Sequence, residues 1–373
     1  MKGPAVNLLW CDPGRVGGSE QYLVRQLAGL PDDVIDELGR PTLYCVPRFA
    51  EAHADLAARY SIVTAPIRGD RRPVRVAAEH TWLARRTRSG TQPRLVHHGG
   101  GTAPSVGGRP IVLTVHDLQY ETHPQYLHPV KLRYLRWAMP RSIARADAIA
   151  VPSEYVKRTI VESFDVESER IHVVPHGVEA DLGADAPSAA ELRSRHGLGD
   201  GPVLVLPAIT HPHKGHRFVL EMVAKHWVEP DVRLVLLGGR GSADAAIEAA
   251  IDELGLRRRV VRPGRVPDGD RDGIIALADA LVFPSEYEGF GAPVVEAMAL
   301  GTPVISSDQP ALAEVVGDAG IVRPTTPDAW ADALDSVAAR RDDLIERGRQ
   351  RATAFTSARS GAALAAVYRS VAA

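Results

Sequence analysis

The stretch ALVFPSEYEGFGAPVVEAMALGTPVISS, residues 280–307, carries the most structural information in the chain. A short apolar run ends at Pro284-Ser285, a glycine-flanked loop follows, and Pro293 stands where the first turn of a helix tolerates it. The helix ends at Gly301 and a second β-branched run begins, so the segment reads as strand, loop, helix and parallel strand. Gly289 and Gly291 let the backbone approach a ligand closely, and the unpaired N–H groups at the helix start present the favourable end of a dipole to an anion. Glu288 precedes that turn and Glu296 lies about one turn into the helix. Each alone reads as an ordinary solvated glutamate. Together they place two carboxylates, each able to accept two O–H donors, beside one phosphate-sized hole.

The same alternation extends outward in both directions. Before it, AVNLLW, IVLTVHD, AIAVPS and HVVPHGV each precede or follow a helical stretch; around it stand PVLVLPAI, RLVLLGG and VVRPGRV with helices between them. Strand-helix alternation implies parallel sheets covered on both faces. The Ala-, Gly- and Asp-rich stretch 179–201 interrupts the pattern and reads as an interdomain linker leading into a helix. The expected architecture is therefore α/β, two doubly wound, Rossmann-like domains: residues 1–180, residues 181–354, and a closing helix of about 355–373 that can pack on either domain, including back on the first. Two such domains imply a ligand cleft at the carboxyl ends of their strands.

Composition restricts the function classes. The chain has 373 residues, enough for two cores, with 45% hydrophobic and 24% charged residues. Cys11 and Cys45 have neither CxxC nor Cys/His spacing, which implies reduced thiols rather than a disulfide framework or a zinc site. The N-terminal apolar run meets Asp12-Pro13 without a small-residue cleavage site and is too short to span a bilayer; it reads as a first strand. A cytoplasmic protein is expected. Net charge is -2 but unevenly spread: residues 1–178 hold 23 Lys+Arg against 18 Asp+Glu, and 179–373 hold 21 against 28. This is too mild for a nucleic-acid partner, while it suits an anionic acceptor or membrane surface. The positive excess concentrates in 67–75, 85–88 and 131–137. In the last, Lys131, Arg133 and Arg136 interleave with Leu132, Tyr134, Leu135 and Trp137, as in a helix resting on anionic lipid or equally one with core-facing aromatics.

Other loops carry candidate chemistry. Gly17 and Gly18 in GRVGGSE (14–20) open the first helix, without the GxGxxG pattern of a nicotinamide enzyme. Lys214 in PAITHPHKGH (207–216) sits at a helix entry, where its charge opposes the dipole unless an anion shares the site. His97 and His98 end a strand before three glycines, either as loop residues or as part of an acceptor surface. Asp268-Gly269-Asp270 formally matches an Asp-x-Asp metal motif but reads as an N-cap loop.

Residues 280–307 resemble the E-x7-E signature of retaining GT-B glycosyltransferases of the family-four type. The resemblance extends over nearly the whole chain: LTVHDL (113–118), ADAIAVPSE (146–154), VVPHGVE (173–179), the glycine loop and PAITHPHKGH are all similar to family segments. Asn is commoner where His176 stands. The family usually carries an arginine five or six residues before the lysine; here Ala208 and Ile209 occupy those positions, leaving Arg15, His213, Arg240 and Arg265 as candidates for the missing charge. The basic segments raise the expectation of peripheral membrane association, and the resemblance implies a nucleotide-diphosphate sugar donor, a glycan or lipid-linked acceptor, and front-face retention without metal or cofactor. It implies catalytic roles for His116, Lys214 and Glu288. Donor binding falls to Gly17, Gly18, Lys214, Arg265, Val266, Glu288, Gly289, Phe290, Gly291, Ala292 and Glu296. Glu288 would hold sugar hydroxyls, Glu296 the ribose, His116 the sugar's C6 side, and the loop around Gly264 to Val266 the base. The PHKGH variant is similar to mannosyl- and rhamnosyltransferase subgroups, which favours GDP-mannose over UDP- and dTDP-sugars. The rival readings are a GT-B sugar-nucleotide epimerase or hydrolase, a non-catalytic nucleotide-sugar binding protein, and a two-domain dehydrogenase.

Overall fold

Thirteen short strands form two separate sheets in the computed structural model, which describes residues 3–14, 17–88 and 92–372. The chain divides into two compact units, residues 1–177 with 356–373, and residues 178–355.

In the first unit the strands are β1 (Ala5–Leu8), β2 (Thr42–Cys45), β3 (Ser61–Thr64), β4 (Val96–His98), β5 (Ile111–Thr114), β6 (Ala148–Val151) and β7 (Ile171–Val173). They lie in the order β3-β2-β1-β4-β5-β6-β7 and every pairing is parallel. Central strands β1, β5 and β6 are buried at every residue, which is why they read as unbroken apolar runs, whereas edge strand β3 is only partly covered. Helix Ser357–Ala372 belongs to this unit. Leu364 and Tyr368 pack with Val112, Ala148 and Ala150, and Tyr368 Oη meets His97 Nδ1 at 2.8 Å. The helix crosses Gly18–Ala28 backbone to backbone: a Cβ added at Gly361 would stand 2.1 Å from the Gly29 carbonyl carbon. Cys11 and Cys45 are free thiols inside this core.

The second unit contains β8 (Val203–Pro207), β9 (Arg233–Leu237), β10 (Val260–Gly264), β11 (Ala280–Phe283), β12 (Val304–Ser307) and β13 (Ile321–Arg323), ordered β10-β9-β8-β11-β12-β13, again all parallel. Alternate residues face opposite layers. Val205, Val235, Leu281 and Phe283 pack on Ile274, Val294 and Met298, while Leu204, Leu206, Leu234 and Val282 pack on Val219, Leu220, Trp227 and Trp330. The stretch 179–201 is no free linker: it forms helix Ala189–His196, whose Leu192 is fully buried with Leu198 in this unit's core.

In each sheet the strand order reverses at one point, between β1 and β4 and between β8 and β11. Loops leaving the carboxyl ends of such a pair wind to opposite sides and open a crevice. Gly17, Gly18, Lys214 and Glu288 lie in the segments leaving β1, β8 and β11 at these places, whereas His116 follows β5 and Arg265 follows β10.

Candidate functional site

The donor-side candidates meet in the second unit because β8 and β11 are neighbours. The loop after β8 carries Lys214 and the loop after β11 carries Glu288. They abut so closely that a Cβ added at Gly215 would lie 2.6 Å from the Pro284 carbonyl oxygen, and Gly215 has a left-handed φ of 69°. Lys214 Nζ donates to Glu288 Oε1 at 2.6 Å, with side chains 19% and 12% exposed. The ammonium also lies 5.7 Å from the centroid of the Phe283 ring. The Glu286 N–H donates to the His213 carbonyl at 2.8 Å, tying the loops a second time.

Helix Ala292–Leu300 begins immediately beyond. Its N-cap is Gly291, at φ 99°, with no capping side chain; Pro293 carries no N–H and the Val294 N–H donates to the Gly291 carbonyl at 3.0 Å. The left-handed φ at Gly291 favours glycine, and a Cβ there would also press on Leu312 Cδ2 at 2.4 Å. Glu296 is buried on this helix and interacts electrostatically with Arg271, which holds Asp272 at 2.7 Å. The Phe290 ring is buried against Phe355. Gly289 and Ala292 flank it in the same turn. Arg265 is exposed just after β10, and Val266 is partly buried against the core.

Two residues absent from the sequence reading fix this loop. Gln309 Nε2 donates to the Glu288 carbonyl at 3.1 Å while its Oε1 caps the next helix at the Leu312 N–H, and Ser307 Oγ donates to the Ser285 carbonyl at 2.6 Å. The available signal is the Gln309-Pro310 pair, a cap followed by a first-turn proline.

Of the candidates for the missing arginine, Arg15 lies outside the described residues. Arg240 faces solvent and pairs with Asp244 at 3.6 Å. His213 stacks on His211 at 5.8 Å. Asp268 and Asp270 are in the first turn of helix Asp268–Leu277, and Asp270 is bound by Arg195 at 2.6 Å and His196 at 3.3 Å. Among the described residues no three His, Cys, Asp or Glu side chains converge as a metal site.

The first unit places His116 at the end of β5. Its Nε2 meets the Gly99 carbonyl at 2.8 Å, which requires the proton on Nε2, and burial lowers its basicity. The neutral ring therefore keeps Nδ1, buried without a partner, as an acceptor. Tyr22 packs edge-on to it at 5.4 Å and Trp10 at 5.7 Å. Gly17, at φ 72°, caps helix Gly18–Ala28, while a Cβ at Gly18 would meet nothing within 4 Å, so the fold does not require that glycine. His97 and His98 are not surface residues. Both are buried, because strand alternation in a sheet covered on both faces leaves neither side open: His97 bridges Tyr368 and Thr114 at 2.8 Å each, and His98 meets Asn7 at 3.1 Å.

The Asn7 amide also donates to Glu79 at 3.3 Å, and burial pushes the Glu79 carboxyl up to about 7. An acid with a raised folded-state pKa stabilises below its unfolded value and loses that contribution as pH rises through the folded one. Stability of this unit should thus fall between about pH 4.5 and 7. Glu79→Gln should remove that dependence, leaving the variant ahead by on the order of 3 kcal/mol at pH 8 and level near pH 4.5, in paired chemical denaturation curves. Identical pH profiles would refute this.

Two family models cover these halves. Glycosyltransferase Family 4 matches residues 16–182 and Glycosyl transferases group 1 matches residues 189–351. The chain is 32% identical over 215 residues to an O-antigen chain mannosyltransferase B of Escherichia coli, covering 57% of this chain and 56% of that protein. It is 32% identical over 279 residues to an MMP alpha-(1->4)-mannosyltransferase of Mycolicibacterium hassiacum, covering 70% and 65%. The matches thus span less than two thirds of either relative. The Anabaena protein HepE, crystallised with UDP and glucose, shares the fold over 100% of both chains with a TM-score of 0.77 at 17% identity. From its paired parallel sheets and the two models that between them occupy most of its length, the chain belongs to the GT-B glycosyltransferases of the family-four type.

Proposed function

We propose that the protein is a retaining, metal-independent hexosyltransferase that moves mannose from GDP-mannose to a glycan or lipid-linked acceptor. The observation that carries this is the Lys214–Glu288 pair beside the uncapped start of helix Ala292–Leu300. Mannosyl donors are favoured by the PHKGH loop and by the relatives named for mannosyl transfer.

On this reading the bond between the sugar C1 and its phosphate oxygen breaks, a bond from C1 to the acceptor oxygen forms on the same face, and the acceptor proton passes to the departing phosphate. Negative charge grows on the diphosphate as the bond breaks. The positive end of the Ala292–Leu300 helix dipole would face that charge and is fixed in place by the fold. Lys214 would turn from Glu288 toward the diphosphate, freeing the carboxylate to accept hydrogen bonds from sugar hydroxyls. Glu296 is suited to the ribose and the turn at Arg265-Val266 to the base. His116 Nδ1 offers an acceptor for the sugar's C6 hydroxyl.

Among the described residues no helix is long and apolar enough to cross a membrane. Helix Pro129–Arg145 turns Leu132 and Leu135 toward the core and leaves Val130 and Trp137 exposed among Lys131, Arg133 and Arg136, which supports a peripheral contact with a cytoplasmic membrane face.

With GDP-mannose, the initial product should carry the donor's anomeric configuration by NMR, and turnover should persist in excess EDTA. Loss of activity restored by magnesium or manganese, or an inverted product, would overturn the reading.

A further inference from the structure

Asn7 is an amide inside an otherwise apolar central strand. It is 1% exposed and stands opposite His98 in the β1–β4 register, where the strand order reverses. Burial alone would favour an apolar side chain here, as at Ala5, Val6 and Leu8. A buried amide costs free energy unless its polar atoms are partnered, and here both the oxygen and the nitrogen are. Oδ1 accepts the Leu9 N–H at 3.1 Å, while Nδ2 donates to His98 Nδ1 at 3.1 Å and to Glu79 Oε1 at 3.3 Å. The Leu9 N–H fixes which way the amide points, because only the oxygen can accept from it. The backbone carbonyl of Asn7 accepts from Trp10 Nε1 at 3.2 Å and from the Gly99 N–H at 3.5 Å.

Both ends of this network reach His116. Gly99 follows His98 directly, and its carbonyl accepts the His116 Nε2 proton at 2.8 Å. Trp10 follows the turn that the Asn7 oxygen closes at Leu9, and its ring centroid lies 5.7 Å from that of the imidazole. The indole also rests on the glycine loop: a Cβ added at Gly100 would stand 2.6 Å from Trp10 Cγ, and one at Gly99 would stand 3.2 Å from Trp10 Nε1. Trp10 and the Gly99 carbonyl thus form one assembly that is fastened at Asn7 and bears on the imidazole. The buried His116 Nδ1, which has no partner in the protein, is aimed by whatever orients the ring.

We infer that Asn7 is a positioning residue for His116: its side chain holds the Leu9-Trp10 turn and the His98-Gly99 pair in register, and through them fixes the imidazole. This rests on the placing of His116 in the proposed reaction centre and adds the residue that orients it. A misplacement on the order of 1 Å at a reacting group can cost about a hundredfold in rate, so a buried amide that touches no substrate can still govern turnover.

Histidine-selective nitrogen NMR reads the His116 tautomer directly, its resonances being assigned by their loss in His116→Gln. In wild type they should be those of a neutral ring protonated at Nε2. Asn7→Ala should move them toward the average of the two neutral tautomers, lower kcat with GDP-mannose by about tenfold or more, and leave the affinity for GDP unchanged. Glu79→Gln keeps an oxygen for the Asn7 amide and should leave both the resonances and kcat as in wild type; a shift as large as that of Asn7→Ala would assign the hold to Glu79 and overturn the proposal. Trp10→Phe, which removes the indole donor to the Asn7 carbonyl, should move the same resonances by less and serves as the test if Asn7→Ala does not fold. Unmoved His116 resonances in either folded variant overturn the positioning role whatever the rate does, because a merely structural amide lowers stability without changing a tautomer. Resonances that move while kcat stays at the wild-type level overturn it as well, given a slow His116→Gln. If His116→Gln turns over like wild type, or wild type does not use GDP-mannose, the functional reading falls instead, and the resonances still decide whether Asn7 orients the ring.

Discussion

Lys214→Ala and Glu288→Ala should each reduce kcat about a hundredfold or more, the size of effect seen when one preorganised polar partner is removed from a reacting centre. The two side chains form one unit in the resting protein, joined at 2.6 Å and mostly shielded from water. Removing either one also leaves its partner's charge partly buried, so the double variant should lose little more activity than the worse single variant. Glu288→Gln separates the roles: it retains shape and one acceptor oxygen, and should fall between wild type and Glu288→Ala. Thermal melts establish that each variant is folded before rates are compared. Near wild-type turnover by a folded Lys214→Ala or Glu288→Ala protein would remove this pair from the chemistry.

Gly361→Val should unfold the first unit at markedly lower denaturant concentration, a loss of about 3 kcal/mol or more. At this crossing the obstacle is backbone: the added Cβ would lie 2.1 Å from the carbonyl carbon and oxygen of Gly29, and a Cβ at Gly29 would lie 1.9 Å from the Ser357 carbonyl oxygen. No rotamer change relieves such a contact, so helix Ser357–Ala372 must shift and carry Tyr368 away from His97. Urea titrations followed by tryptophan fluorescence should show an early transition for Gly361→Val and an unshifted later one reporting Trp227 and Trp330 of the second unit. A single unshifted transition would contradict this account.

Much of this architecture is legible in the sequence for a definite physical reason. Strands β1, β5, β6, β8 and β11 are buried on both faces, and a strand that meets no water has no cause to alternate, so each appears as a compact apolar run. Residues 30–95 are much less legible. There β2 and β3 are short and partly exposed, and the intervening helices are brief and rich in Arg and Ala, with a π-helical turn at Glu79–Leu83. The candidate site is legible as separate pieces: Lys214 and Glu288 each carry a motif, but their meeting depends on β8 lying next to β11, a fact of strand order that no local pattern encodes. His97 and His98 mislead because a histidine pair before glycines reads as an open loop, whereas the sheet is covered on both sides at that point. Glu79 shows no signal at all, since its environment is assembled from Asn7, Arg72, Arg75 and Tyr134 across the unit.

The discontinuous first unit also has a consequence for biosynthesis. Residues 356–372 are translated only after all of 178–355, yet they supply a helix that the first sheet needs to cover one face. A ribosome-bound chain can therefore complete the second unit while the first still exposes Val112, Ala148 and Ala150. A premature stop just beyond residue 355 should release a protein whose second unit is intact and whose first unit is a chaperone client.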